Sequence, residues 1–498
     1  MKFIAKHLTL SSGGAKVAII NKKDASALDL HEGDRLHLIH GNKHSHIVLD
    51  ITENPKMVKE NEIGLFKEVS DELGCQNKHM IHVKLAGKPI SIQYIKEKLD
   101  GKRLNYEKLR EITQDIVYER LSDIELSFFV SASYVHGLNE QETVDLTRAM
   151  IETGDTLGLK DKIIVDKHCT GGVAGNRTTM IVVPIVAAAG LKIPKTSSRS
   201  ITSPAGTADT MEILANVDFP IGEMRKIVKN INGCIVWGGA INLAPSDDKI
   251  IKVEHPLMID AEGQMLASIL AKKGSVGAKH VLIDIPLGNQ TKVKTKAKAD
   301  HLAKKFIKIG KGLGMKIEVI TTDGNEPIGN GIGPSLEAAD VLRVLQQTND
   351  RPKDLEKKSL LIAGKMFELC GKCKKGTGLK TAKEILKSGK AYDKMKEIIK
   401  AQGGNEKIKP EEIKQAKHSY DLIAKTDCVI RDWNNDLVSR TARMAGAPFD
   451  AEAGIFLYAH EGEKVKKGDK ILTLYANSKD RLKFAKDFLM KNRVVTLG

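Results

Sequence analysis

The length, composition and charge of the chain limit what kind of protein it is. It has 498 residues, of which 41% are hydrophobic, so it buries a large core over two to four domains and is not disordered. The formal net charge of +16 favours anionic partners, but aromatic residues make up only 4% and the lysines are interleaved with glutamates. So few stacking platforms argue against nucleic acid as the partner.

The cysteines and the apolar runs favour a cytoplasmic protein. Six cysteines are present, and only Cys370 and Cys373 form a CxxC pair, so no second pair completes a zinc site. Sparse cysteines suit a reducing compartment. The N-terminal segment lacks the apolar core of a signal peptide, and the longest apolar run, residues 180–190, is too short to cross a membrane. We expect neither a metal nor a membrane partner.

Residues 1–88 are predicted to form a small β-barrel domain. Alternating apolar segments at 36–39 and 47–49 are separated by turn-forming stretches. Residues 63–74 have the pattern of a helix. The region is therefore predicted to be mostly β, with one helix.

Residues 92–156 are predicted to form a helical lobe. From Asn105 to Thr153 apolar residues recur every three or four positions, as in about three helices. Ser122 and Asn139 are predicted N-caps, the first with Glu125 three residues later. A further helical pattern at 256–273 interrupts the next region, so residues of about 247–277 are expected to complete this lobe.

Residues 157–246 and 278–418 are predicted to form a central α/β lobe with a mostly parallel sheet. Strand patterns at 163–165, 234–237, 280–285 and 316–320 alternate with glycine-rich loops and helices. Ligands in such sheets bind at the carboxyl ends of the strands.

Residues 419–498 are predicted to form a C-terminal α+β domain. Residues 461–476 resemble the sharp turn of hammerhead domains of the lipoyl type. No lysine lies at a hairpin tip in the context that a swinging-arm carrier needs, so we do not expect a carrier domain.

The first loop, 167-KHCTGGVAGNRTT-179, has the composition of a phosphate cradle. A strand is predicted to end at Val165 and a helix to begin near Thr178, with three glycines between them. Glycine N–H groups, the ammonium of Lys167 and the hydroxyls of Thr170 and Thr179 are suitable donors to an anion. The spacing fits neither a Walker A loop nor GxGxxG. Taken alone, the loop is as well explained by an ordinary glycine-rich turn.

The second loop, 195-KTSSRSITSPAGTADTME-212, also follows a short strand. It carries many hydroxyls and Arg199, and a helix at 208–214 is predicted after a cap at Gly206 or Thr207. Two cation-bearing, hydroxyl-rich loops at successive strand ends indicate a ligand with one or more phosphates. The alternative is two solvated loops, which does not explain why Lys167 and Arg199 follow neighbouring strands.

Further candidate residues follow these loops in the chain. Ser268 and Lys272 are four residues apart, so they lie on one face of a helix. Asp260 precedes them by two turns, with an N-cap role as its alternative. Lys292, in the loop 284-DIPLGNQTKVK-294, follows another predicted strand and is a further phosphate candidate.

These stretches together resemble the thymidine and pyrimidine nucleoside phosphorylase family. That family carries Lys-His-Ser-Thr-Gly-Gly-Val and, later, Gly-Thr-x-Asp-x-x-Glu, matched here by residues 167–173 and 206–212. Residues 236–250 and 267–273 match further family stretches, and the likeness runs from about residue 100 to the C-terminus. The chain most resembles an archaeal branch that carries an extra N-terminal β domain and acts on nucleoside 5′-monophosphates.

The resemblance implies a set of site residues. Asp260 matches the proton donor, and His168 matches a histidine that positions the substrate or transfers a proton. Cys169 stands where the family usually has serine. The implied phosphate-binding residues, together with Thr170 from the loop, are Lys167, Thr170, Thr179, Ser198 and Thr207. The implied AMP-binding residues are Gly172, Ser198, Arg199, Ser200, Ile201, Thr202, Ser203, Thr207, Ser268, Lys272 and Lys292.

Two departures from the family pattern bear on the substrate. Pyrimidine-specific members place Tyr and Arg on the base, where this chain has Ile250 and Val253. Each polar group of the base left unmatched costs about 1–3 kcal/mol. Arg199 and Lys292 supply charge that a neutral nucleoside does not need.

The resemblance therefore implies phosphorolysis of AMP to adenine and ribose 1,5-bisphosphate, with CMP and UMP as further candidate substrates. Inorganic phosphate is the co-substrate, and no cofactor is expected. A homodimer through the helical lobe, or a larger homo-oligomer, is implied. The alternatives are a pyrimidine nucleoside phosphorylase and, remotely, a non-catalytic protein that binds nucleic acid or phosphate.

Overall fold

The computed structural model describes residues 1–498 apart from 14, 15, 201, 202, 258 and 260, and it describes only the backbone of His255 and Leu257. Three residues predicted for the site, Ile201, Thr202 and Asp260, therefore lie outside the described residues. The chain divides into two compact units. The first comprises Met1–Gly137 and Lys249–Ala261, and the second Leu138–Asp248 and Glu262–Gly498.

The first unit begins with the predicted β-barrel. Its strands are β1 (Lys2–His7), β2 (Val17–Asn21), β3 (Arg35–His40), β4 (Lys43–Thr52), β5 (Glu62–Leu65) and β6 (Met80–Leu85). They close in the order β1-β5-β2-β4-β3-β6, and alternate residues such as Leu36 and Leu38 are buried inside. Two short helices, α1 (Lys22–Ala27) and α2 (Lys67–Leu73), accompany the barrel. The helix predicted at 63–74 begins only at Lys67, because the residues before it pair with β1 and β2 as β5.

Three helices complete the described sequence of the first unit up to Gly137: α3 (Ser91–Leu99), α4 (Tyr106–Val117) and α5 (Asp123–His136). Ser122 caps α5 as predicted. Its hydroxyl accepts from the backbone of Glu125, whose carboxylate accepts from the backbone of Ser122. The chain returns to this unit at Lys249, whose ammonium donates to the carbonyl of Val117.

The second unit contains the parallel strands that the sequence predicts: β7 (Val165–Cys169), β8 (Ile193–Ser197), β9 (Gly233–Trp237), β10 (His280–Leu287) and β11 (Lys316–Asp323). They lie in the order β11-β10-β7 and β8-β9, and a parallel bridge between Ile164 and Lys192 joins β7 to β8. All these pairings are parallel.

The end of β7 differs from the prediction. The strand was predicted to end at Val165, but it continues to Cys169, whose partner on β10 is Asp284. Pairing with a strand more than a hundred residues later supplies the hydrogen bonds that keep these residues extended. Lys167 and His168 consequently lie on the strand rather than in the loop.

Helices pack against these strands and around a large apolar core. They are α6 (Glu140–Glu152), α7 (Thr178–Ala188), α8 (Thr207–Glu212), α9 (Ile221–Ile231), α11 (Glu262–Ser275), α12 (Lys296–Gly312), α13 (Pro334–Gln346), α14 (Lys353–Leu369), α15 (Gly378–Lys387) and α16 (Lys390–Ala401). Between α9 and α11 in the chain lies α10 (Pro245–Leu257), whose residues are divided between the two units. Asn139 caps α6, as predicted, and it forms a capping box with Glu142. The helical pattern predicted at 256–273 is divided between the end of α10 and α11.

The C-terminal residues of the second unit form an α+β region. Its elements are β12 (Gly331–Ile332), β13 (His418–Ile423), β14 (Cys428–Trp433), α17 (Asn435–Ala445), β15 (Gly454–Leu457), β16 (Lys464–Val465), β17 (Lys470–Ala476), α18 (Lys479–Lys491) and β18 (Val495–Leu497). Two sheets, β12-β15-β17-β13 and β16-β14-β18, enclose a core that includes Trp433. The hammerhead-type turn stays a prediction.

Across the described residues, every helix is too short or too polar to pass through a lipid bilayer.

Candidate active site

Three loops meet at the carboxyl ends of β7, β8 and β10, which are neighbours in the parallel order. Gly172, in the loop after β7, has a φ of +93°. A Cβ atom there would lie 2.8 Å from Cα of Thr291 and 3.0 Å from the backbone nitrogen of Lys292. Glycine is required both by the backbone conformation and by this close approach. The loop after β7 and the loop that carries Lys292 are therefore in contact.

Lys167 is a buried cation at the base of the first loop. Its ammonium donates to Oγ1 of Thr178 at 3.1 Å, and that hydroxyl donates to Oδ1 of Asn176 at 2.9 Å. Burial lowers the pKa of Lys167, while Cys169 and Asp284 oppose the shift. An ammonium has three N–H donors, and the described residues accept from one of them, so two are available to an anion.

The remaining donors of the first loop are threonines and backbone N–H groups. Thr179 lies in the first turn of α7, an apolar helix whose N-terminus carries a partial positive charge. Oγ1 of Thr170 is buried and has no hydrogen-bond partner among the described residues. A buried hydroxyl without a partner is costly unless a ligand satisfies it. Both threonines therefore suit an oxyanion.

Cys169 is the least expected residue of this loop. Its sulfur accepts a hydrogen bond from Nδ2 of Asn176 at 3.5 Å. Burial and the carboxylate of Asp284 raise the pKa of Cys169 to about 11. The side chain is consequently a neutral thiol near pH 7, and it does not repel an anion.

The second loop is folded around Asp209. The carboxylate accepts from the backbone N–H groups of Ser200 and Gly206, both at 2.8 Å, and so caps the start of α8. The single hydroxyl hydrogen of Ser203 can donate to the carbonyl of Ala205, at 3.0 Å, or to Oγ of Ser200, at 3.2 Å. These bonds join the described residues on either side of positions 201 and 202 to the start of α8.

Arg199 is already paired within the same loop. Its guanidinium donates to Glu212 at 2.7 Å and to Asp209 at 3.3 Å, and it lies 5.0 Å from the ring of Trp237. These carboxylates, above all Glu212, raise the pKa of Arg199. The guanidinium of Arg199, which was predicted to bind the ligand, is thus paired with two carboxylates. Lys292, the other predicted cation, is exposed.

Arg177 joins the first loop to the second. It precedes α7, is 8% exposed, and donates to Oγ1 of Thr207 at 3.0 Å and to the carbonyl of Ala205 at 2.8 Å. Its Nε donates to the buried carboxylate of Glu337 on α13. Burial raises the pKa of Glu337, and Arg177 opposes that shift.

A buried cluster lies beside His168. Asp166 accepts from Lys273 at 2.7 Å and lies 3.5 Å from the ammonium of Lys195. Burial and the charges of Lys273, Lys195 and Lys167 lower the pKa of His168 well below its usual value. The imidazole is therefore neutral near pH 7, and it can donate or accept a hydrogen bond but does not supply a positive charge.

Ser268 and Lys272 lie on α11, as their spacing predicts. The ammonium of Lys272 lies 2.7 Å from the buried carboxylate of Asp247. Despite burial, which lowers the pKa of Lys272, Asp247 raises it above its usual value. In the described part of the chain, no group of three or more acidic, histidine or cysteine side chains converges as metal ligands would.

Sequence profiles of known families match most of the second unit and the helices before it. The glycosyl transferase family a/b domain matches residues 161–392, and the helical bundle domain of the same family matches residues 92–154. The pyrimidine nucleoside phosphorylase C-terminal domain matches residues 429–495.

Curated relatives match nearly the whole chain. An AMP phosphorylase of Thermococcus kodakarensis is 46% identical over 482 residues, which are 97% of this chain and 95% of the relative. The chain belongs to the AMP phosphorylase family. An AMP phosphorylase of Methanococcus maripaludis strain C5 is 43% identical over 94% of this chain and 92% of its own length. That of Methanosarcina mazei is 43% identical over 97% and 94%.

A solved structure supports the fold. Anthranilate phosphoribosyltransferase from Thermus thermophilus superposes with a TM-score of 0.53 at 19% identity, covering 62% of this chain and 98% of that chain. At this identity the likeness concerns the fold alone.

Sequence reasoning located the three loops but missed the residues that hold them in place. The sequence did not predict the structural role of Arg177, because a basic residue in an anion-binding loop is equally typical of a direct contact with the ligand. Asp166 and Lys273 lie next to predicted site residues, but no role was predicted for either of them. Nothing in the first loop pointed to Asn435, at the start of α17, whose Oδ1 accepts from the backbone N–H of Ala174.

Proposed function

We propose that the chain catalyses the phosphorolysis of AMP, giving adenine and ribose 1,5-bisphosphate. The observation that carries the proposal is the junction of two donor-rich loops, joined by Arg177 and Thr207 at 3.0 Å, in a member of the AMP phosphorylase family. Two adjacent anion sites suit a reaction in which a phosphate attacks a sugar phosphate. A nucleoside without a 5′-phosphate needs only one.

We assign the attacking phosphate to the first loop together with Thr207, the first residue of α8. Lys167 supplies charge, Thr170 and Thr179 supply hydroxyl donors, and the N-terminus of α7 adds its dipole. The phosphate attacks C1′ as the bond to the base breaks. The transition state has oxocarbenium character, so a preorganised anion next to C1′ also stabilises it electrostatically.

We assign the nucleotide to the part of the second loop that precedes Thr207, to α11 and to Lys292. The 5′-phosphate is matched by Lys292, which is exposed and follows the close contact with Gly172. Ser198 is exposed at the end of β8, while Ser268 lies half-buried on α11. Lys272, held by Asp247, keeps its positive charge and completes the set of AMP-binding residues.

Adenine is a poor leaving group as an anion, so an acid must protonate it. Asp260 is our assignment, and it rests on the family resemblance because Asp260 lies outside the described residues. His168 is a poorer acid for this step, since its imidazole is neutral. We assign His168 to positioning the substrate.

The substituted base contacts favour AMP over pyrimidine nucleosides. Ile250 and Val253 are both buried on α10, at the positions where pyrimidine-specific members carry Tyr and Arg. Apolar side chains provide no hydrogen bonds to the polar edge of a pyrimidine, which would lose about 1–3 kcal/mol for each unmatched group.

A substrate panel tests the proposal. Base release in the presence of inorganic phosphate is measured for AMP, CMP, UMP, adenosine and thymidine. We expect AMP to be turned over and thymidine not. Lys292→Ala is expected to raise KM for AMP at least tenfold, while the matched control Lys294→Ala, also exposed on the same segment, leaves it unchanged. Turnover of thymidine but not of AMP contradicts the proposal.

A second experiment tests the acid. Asp260→Asn is expected to leave the dissociation constant for AMP nearly unchanged and to lower kcat by about 100-fold or more. Glu262→Gln serves as the control, because that carboxylate is paired with Lys305 and His301. An unchanged kcat in Asp260→Asn would contradict the role of proton donor and would support the alternative, in which Asp260 is a helix N-cap.

We further propose that the chain forms a dimer through α5. This helix is apolar on both faces: Phe129 and Val130 are buried, whereas Ile124, Phe128 and Val135 are 71%, 51% and 72% exposed. Exposed apolar side chains on one short helix are typical of a surface that a partner covers. A second copy of this chain fits the homodimer implied by the family resemblance.

A further inference from the structure

The contact between Arg177 and Thr207 constrains the direction of one hydrogen atom. Oγ1 of Thr207 accepts a hydrogen bond from Nη1 of Arg177 at 3.0 Å. A guanidinium is only a donor, and a hydroxyl has a single hydrogen and two acceptor sites. The hydrogen of the Thr207 hydroxyl must therefore point away from Arg177. Among the residues that the structure describes, none accepts it.

Thr178 in the first loop provides the contrast. Lys167 donates to Oγ1 of Thr178, and the Thr178 hydroxyl then donates to Oδ1 of Asn176. The donor capacity of Thr178 is thus used inside the protein, whereas that of Thr207 is left for a ligand. An oxyanion is purely an acceptor, so it is the natural recipient.

Three of the five N–H groups of Arg177 donate to groups of the protein. Its Nε is paired with Glu337, and its two Nη groups donate to Ala205 and Thr207. Glu337 is held in turn by the backbone N–H of Gly333 at 3.0 Å and the hydroxyl of Thr210 at 3.2 Å. The guanidinium is buried and its charge is balanced by Glu337, so its orientation is fixed before any ligand binds.

We infer that Arg177 is a positioning residue that fixes the hydroxyl of Thr207 as a hydrogen-bond donor to the bound phosphate. The inference rests on the proposed function in that it takes the ligand of the two loops to be a phosphate. Arg177 precedes α7, whose first turn carries Thr179, and it binds the first residue of α8. One buried side chain therefore sets the donors of both loops relative to each other.

A double-mutant cycle tests this inference. Arg177→Met, Thr207→Val and the double variant are compared with the parent for KM of phosphate and KM of AMP. Each single variant is expected to raise KM of phosphate about tenfold or more, because a hydrogen bond to a charged ligand is lost. In the Thr207→Val background, Arg177→Met is expected to add less than about twofold. Equal effects of Arg177→Met in both backgrounds overturn the inference, since they would mean a purely structural role.

Conservative variants keep the test decisive if Arg177→Met does not fold. Arg177→Lys retains the charge beside Glu337, but a single ammonium cannot reproduce the planar fork that reaches Glu337, Ala205 and Thr207 together. It is expected to fold and to weaken phosphate binding, and wild-type phosphate affinity in this variant contradicts the inference. Thr207→Ser keeps the hydroxyl and is expected to restore most of the affinity lost in Thr207→Val.

Direct binding separates this inference from the proposed function. The dissociation constant of inorganic phosphate is measured by calorimetry for the parent, Arg177→Lys and Thr207→Val without nucleotide. Weaker phosphate binding in both variants supports the inference even if AMP is not the substrate. Unchanged binding in both overturns it even if AMP phosphorolysis is confirmed.

Discussion

The backbone N–H of Ala174 donates to Oδ1 of Asn435 at 3.1 Å, across 261 residues of sequence. Asn435 is buried at the start of α17, and its own Nδ2 donates to the carbonyl of Gly324 at 3.1 Å. Its backbone N–H donates to Gln290, in the loop that carries Lys292. Through Asn435, the C-terminal region of the chain is thus hydrogen-bonded both to the first loop and to the loop that carries Lys292.

Replacing Asn435 with alanine is expected to weaken phosphate binding as well as stability. The change leaves the N–H of Ala174 without its partner, at a cost of about 1–3 kcal/mol. KM of phosphate should rise, and the midpoint of thermal unfolding should fall. Asn434→Ala is the matched control: it removes only the cap of α17, where Asn434 accepts from Leu437, and costs about 1 kcal/mol. A rise in KM of phosphate in both variants would count against a specific link to the loop.

The buried cluster at Asp166 is expected to make stability depend on pH. Burial, reinforced by Lys273 and opposed by Asp166, lowers the pKa of Lys195 to about 7 from its usual 10.5. Between these values the unfolded chain binds a proton that the folded chain does not, so stability rises with pH across this window. Lys195→Met removes this titration and leaves Asp166 paired with Lys273. Thermal midpoints at pH 6.5 and pH 9 are expected to differ less in the variant; an equal difference contradicts the assignment.

Replacing Cys169 with serine is expected to improve phosphate binding. The thiol is neutral and a weak donor, while a hydroxyl at the same position is a better donor to an anion. KM of phosphate should fall by about threefold to tenfold, with KM of AMP unchanged. Cys234→Ser is the control, because that thiol is buried on β9 and the change should affect only stability. A higher KM of phosphate in Cys169→Ser would show that the sulfur itself is needed.

Charge on the exposed face of α5 is expected to separate the proposed dimer. Ile124→Glu together with Val135→Glu places two carboxylates where we expect a second copy to pack, and burying them unpaired is unfavourable. Sedimentation velocity should show the parent as a dimer or larger and the variant as smaller. Ile307→Glu, on an exposed position of α12, is the control and should not change the mass. An unchanged mass in the α5 variant rejects this interface.

Local patterns in the sequence were sufficient for several elements. Ser122 and Asn139 were predicted as N-caps, the first with Glu125 three residues later, and both form a capping box. The position of the first and second loops at neighbouring strand ends followed from the alternation of strands and helices. In each case the structure depends on residues that are close together in the sequence, so one sequence is enough to predict it.

Long-range partners were not predictable in this way. The extension of β7 to Cys169 depends on pairing with Asp284, and the orientation of Arg177 depends on Glu337, 160 residues later. The sequence predicted Arg199 as charge for the ligand, but its guanidinium is paired with Asp209 and Glu212. Which ion pairs form is decided by tertiary packing, and neither periodicity nor spacing encodes that.

The identity of the products tests the central claim most directly. The chain is incubated with AMP and inorganic phosphate, and the reaction is followed by phosphorus NMR together with chromatography of the released base. We predict that AMP and phosphate disappear in equal amounts while adenine and ribose 1,5-bisphosphate accumulate. Release of adenine with ribose 5-phosphate and no consumption of phosphate, or no reaction of AMP under conditions where thymidine is cleaved, would contradict the account.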